Sequence, residues 1–67
     1  MCRNIKQLRH SEQAPTDEEI RDAALQFVRK VSGYRKPSKA NQVAFDRAVD
    51  QISQATRGLL DNLVTRQ

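Results

Sequence analysis

Residues 29–41 read Arg29-Lys30-Val31-Ser32-Gly33-Tyr34-Arg35-Lys36-Pro37-Ser38-Lys39-Ala40-Asn41, and this stretch decides the fold. Apolar residues recur at helical spacing both before and after it. Within it, Gly33 can take the left-handed conformation that closes a helix. Pro37 disfavours helical backbone at the residue before it, and Ser38 can cap a new helix start. A five-residue linker between two helices leaves them antiparallel. The expected fold is therefore all-α: an antiparallel helical hairpin of about residues 16–32 and 38–66.

Working back from the linker, the first helix carries a full set of signals. Thr16 can cap it, and Glu19 three residues on completes a capping box. Asp17, Glu18 and Glu19 fill the first turn and complement the positive end of the helix dipole, as Arg29 and Lys30 complement the negative end. Ile20, Ala23, Ala24, Phe27, Val28 and Val31 form one apolar stripe at helical period, read as core.

Working forward, Phe45, Val49, Ile52, Leu59 and Leu63 lie close to one face of the second helix. Gly58 interrupts it, at ~1 kcal/mol relative to alanine, as a kink or a site of close backbone approach. About 17 residues span ~25 Å and about 28 span ~42 Å at the α-helical rise. The first helix therefore covers only half of the second and leaves Leu59, Leu60, Leu63 and Val64 without a partner. Their covering is expected from the N-terminal segment, through Ile5 and Leu8, or from a second copy in a homodimer. Residues 1–15 form the N-terminal segment, expected to pack on the second helix, and residues 16–67 form the hairpin as a single domain.

Composition narrows the function classes. Sixty-seven residues bury only ~60% of their unfolded surface, so the core is thin. Cys2 is the only cysteine and His10 the only histidine, which leaves no intramolecular disulfide and argues against a structural zinc site. No segment has the length and apolarity of a membrane span or a signal peptide. A cytoplasmic, non-enzymatic protein without metal or cofactor is expected. If Met1 is removed, Cys2 carries a thiol and a free amine on one carbon, but its spacing from His10 demands no catalytic dyad. The net charge of +4 and pI near 9.8 speak to partners rather than to fold.

The candidate site is the linker itself, which holds five of the twelve basic residues and no acid. The first helix opens on three acids, whereas the second opens Ser38-Lys39-Ala40-Asn41-Gln42 with no acid until Asp46. A lysine in a first turn is unfavourable by ~0.3–1 kcal/mol, and an external anion would repair this. The expected anion-binding residues are Arg29, Lys30, Tyr34, Arg35, Lys36, Ser38, Lys39 and Asn41. The ligand would be a nucleic acid or another phosphate-bearing molecule; the alternative is a protein-interaction or homodimerisation module using Leu59, Leu60, Leu63 and Val64 at the apolar far end of the second helix. A helix-turn-helix fits poorly, because Asp46 and Asp50 would meet phosphates on the same helix and no third helix is in view.

The blocks MCRNIK, FVRKVSG, KPSKAN, AFDRAV and LLDNLV, in this order and spacing, resemble a family of short bacterial proteins classed as a domain of unknown function. The likeness covers nearly the whole chain, linker included. It implies a small, predominantly helical bacterial protein and brings no activity, cofactor or catalytic residue with it.

Overall fold

The computed structural model describes residues 7–9 and 14–64. Two α-helices, α1 (Asp17–Ser32) and α2 (Gln42–Asn62), form the expected antiparallel hairpin, joined by a loop and a short 3-10 turn, Lys39–Asn41. No strand occurs among the described residues.

α1 starts and stops where local chemistry says it should. The Thr16 hydroxyl accepts from the Glu19 N–H (3.1 Å), and the Glu19 carboxylate accepts from the Thr16 N–H (2.8 Å). At the far end Gly33 adopts φ +78°, and its N–H donates to the Arg29 carbonyl at 2.9 Å. This left-handed residue satisfies a carbonyl that the helix end would leave bare and turns the chain out of α1.

α2 departs from expectation at both ends. Ser38 precedes the 3-10 turn rather than capping a long helix, and its side chain makes no capping bond. Its hydroxyl instead accepts from the Asn41 side-chain amide at 2.9 Å. The tight turn uses three residues, so α2 opens at Gln42. It closes at Asn62, not near 66, because Leu63 turns to extended backbone (φ −72°, ψ 139°). There the Asn62 side-chain amide donates back to the Gly58 carbonyl (2.7 Å). Gly58 does not break the helix, and nothing lies within 4 Å of where its Cβ would stand, so it admits no other backbone.

The core is narrow. Ala24, Val28, Phe45 and Val49 form the buried cluster, with Leu25, Ala48 and Ile52 packed against it and Ile20 buried nearby. The α1 stripe is thus divided: Ile20, Ala24 and Val28 face α2, while Ala23, Phe27 and Val31 remain exposed. Register is marked by two ion pairs, Arg21 to Asp50 and Arg57 to Asp17, each at 2.5 Å. Arg57 also reaches Asp61 (3.8 Å) and the carbonyl of the buried Pro15 (3.4 Å), which ties the approach to α1 onto α2. Leu8 is half-buried; Cys2, Ile5 and His10 lie outside the described residues.

Candidate functional site

The linker gathers the sequence-expected residues at one end of the hairpin but engages several with one another. The Arg29 Nε donates to the Arg35 carbonyl at 3.0 Å, and the Tyr34 N–H to the Ser32 hydroxyl at 3.1 Å. The Asn41 side-chain amide donates to Ser38 Oγ and, at 3.4 Å, to the Tyr34 hydroxyl. The 3-10 turn also occupies backbone donors: Asn41 N–H bonds the Ser38 carbonyl (2.9 Å) and Gln42 N–H bonds the Lys39 carbonyl. Lys39 and Ala40 open the turn, ahead of its first internally bonded N–H at Asn41. Arg35, Lys36 and Lys39 are exposed.

Charge is polarised along the hairpin. Residues 23–45 carry five basic side chains and no acid, whereas residues 14–22 carry four acids and one arginine. Both arginines of the ion pairs have their pKa raised above the ordinary value, Arg21 chiefly by its hydrogen bond to Asp50 and Arg57 chiefly by that to Asp17.

Beside the linker lies a feature of different chemistry. An open groove of about 320 Å³ runs between α1 and α2, lined by Phe27, Val31 and Tyr34 on one side and by Ala44, Ala48 and Ile52 on the other. Phe27 is 54% exposed and Val31 69%. At 100° per residue, Ala44, Ala48, Ile52, Ala55 and Leu59 fall on one stripe of α2, and Leu63 follows just past its last residue. Arg57 and Asp50 project well away from that stripe. The hairpin is therefore a two-helix layer with one apolar face and one ionic face. Leu59 (58% exposed) and Leu63 (43%) continue the apolar face beyond the reach of α1; Val64 is exposed and Leu60 half-buried.

The family model described as an uncharacterized conserved protein (DUF2277) matches residues 1–67. The chain belongs to this family. No curated protein and no solved structure matches it. Membership in the DUF2277 family brings no assigned chemistry, so function rests on what this geometry can do.

Among the described residues no three His, Cys, Asp or Glu side chains come together to hold a metal, and no helix is long and apolar enough to cross a membrane. The groove residues Phe27, Val31, Ala44, Ala48 and Ile52 escaped the sequence reading as a site. Their signal was present in the width of the apolar stripes: the stripe of α1 carries six apolar positions, while its one neighbour buries only three of them.

Proposed function

We propose that this protein is a small, non-enzymatic interaction module that docks the apolar face of its hairpin on a protein surface. One observation carries the reading: Phe27 and Val31 stand exposed beside an open apolar groove although their neighbours on the same stripe are core. A contiguous apolar patch on a small domain marks an interaction surface. Two helices shield only one side of each stripe, so the hairpin gains a further layer of core when another surface closes over it.

The test is a paired substitution. Phe27→Ser with Val31→Ser should leave the helical content of the dilute chain intact, because Ile20, Ala24, Val28, Phe45 and Val49 hold the hairpin together. The same pair should abolish binding of an environment-sensitive apolar dye at that dilution. Unfolding of the double variant would show that both side chains serve the core, and the docking reading would fail.

A second reading is favoured by the acid-free span 23–45: the basic end receives a phosphate-bearing ligand such as nucleic acid. Arg35, Lys36 and Lys39 then supply charge, and the Lys39 and Ala40 N–H groups supply directed donors. Phosphate contacts release counterions, so affinity for a DNA duplex should fall steeply between low and physiological salt. A salt-independent affinity would remove this reading. We place both activities in the cytoplasm.

A further inference from the structure

We infer that the surface covering the apolar face is a second copy of this chain, turned end for end by a two-fold axis crossing the hairpin; this rests on the docking reading above. Shape supplies the first argument. Along the α2 stripe the residues are small near the linker (Ala44, Ala48) and large at the far end (Leu59, Leu63). The groove lies over the small residues, walled by Phe27, Val31 and Tyr34. Leu59 and Leu63 stand exposed at the opposite end of the same stripe. A two-fold axis midway between them, between Ile52 and Ala55, sets the leucines of each copy into the groove of the other. Such an isologous contact makes the fit twice. The parallel arrangement stacks leucine on leucine and leaves both grooves empty.

Charge supplies the second argument and selects the same orientation. End-for-end packing sets the basic linker end of one copy over the end of the other where α1 opens on its acids, with Glu19 on the Phe27 side of the helix. Parallel packing places like charges together at both ends, which costs affinity. Size is compatible as well. A stable interface takes ~800 Å² from each partner, about an eighth of this chain's 6215 Å², and one broad face of a two-helix layer can supply it. A chain this small, with a single cysteine, is also of the size that commonly gains stability by oligomerising.

Sedimentation equilibrium of the full chain should show a reversible dimer. Val31→Glu and Leu59→Glu should each weaken it about tenfold or more, with helical content unchanged. Orientation is read on the native chain: carbodiimide coupling of mixed isotope-labelled and unlabelled protein should join Lys36 or Lys39 of one copy to Glu19 of the other, a first-turn acid on the Phe27 side of α1. Within one copy the ~20 Å of α1 from Glu19 to Ser32 holds these groups too far apart to couple. A monomer at millimolar concentration would overturn self-association while leaving the docking reading to its own serine test. A dimer that both glutamate variants leave unchanged uses another face and overturns the proposal. So does a dimer lacking the mixed lysine–carboxylate couplings, since its copies are not end for end.

Discussion

Gly33 is the only described residue with positive φ, at +78°. A Cβ there would meet nothing within 4 Å, so the demand for glycine is purely conformational. Gly33→Ala should cost ~1–2 kcal/mol, the left-handed penalty of an ordinary residue, and Gly33→Asn clearly less, both by urea denaturation. Thr16 and Ser38 make an instructive pair, since sequence rules rank both as caps. Thr16→Ala should lose ~1 kcal/mol. Ser38→Ala should lose much less, because its hydroxyl serves Asn41 rather than a helix N–H. Equal penalties would mean that the capping box is not what starts α1. The first cap was legible because Thr16 and Glu19 interact locally, three residues apart. The second was not, because a neighbouring side chain claims Ser38. The ion pairs behave differently with pH. A folded pKa raised above the unfolded one contributes below the unfolded value and is lost only as pH rises through it. For Arg21 and Arg57 that range lies far into alkali, so the penalty of Arg21→Met should be the same at pH about 6 and 9 in thermal unfolding.

At the scale of elements, the two helices differ in how much of them local sequence dictates. α1 was readable to within a residue from cap to stop because each signal agrees with the next. The end of α2 was not, since residues 59–64 keep a helical apolar pattern while no stop signal follows the helix's actual last residue. Chain direction there is set by Leu63 going extended. The groove was hidden for a related reason. Periodicity shows that Phe27 and Val31 share a stripe with Val28, but only the line along which α2 crosses α1 decides which of them is covered. Gly58 offers a prediction at this scale. It sits inside α2 with open space around its Cα, so Gly58→Ala should stabilise by ~0.5–1 kcal/mol through helix propensity and a less mobile unfolded chain. A rise in helical signal and denaturation midpoint would confirm it. A loss would mean that another backbone closes on this position in the assembled protein.

For the molecule as a whole, the two phenylalanines separate folding from association. Phe45 is 8% exposed and belongs to the buried cluster, whereas Phe27 walls the groove from outside it. Truncating a core phenylalanine removes its transfer energy and leaves a cavity, ~3–5 kcal/mol together. That is most of what so small a core supplies, so Phe45→Ala should unfold the chain at any concentration. Phe27→Ala should act differently. In the dilute monomer it loses little, because half of its surface is in water already. Once a second copy covers it, the lost contact subtracts from association, and association stabilises the fold by mass action. The midpoint of thermal unfolding of the native chain should therefore climb with protein concentration, while that of Phe27→Ala should stay nearly flat. The two curves should converge at the dilute end and separate as concentration rises. Parallel curves at a constant offset would place Phe27 in the core of the monomer and return the apolar face to the fold itself.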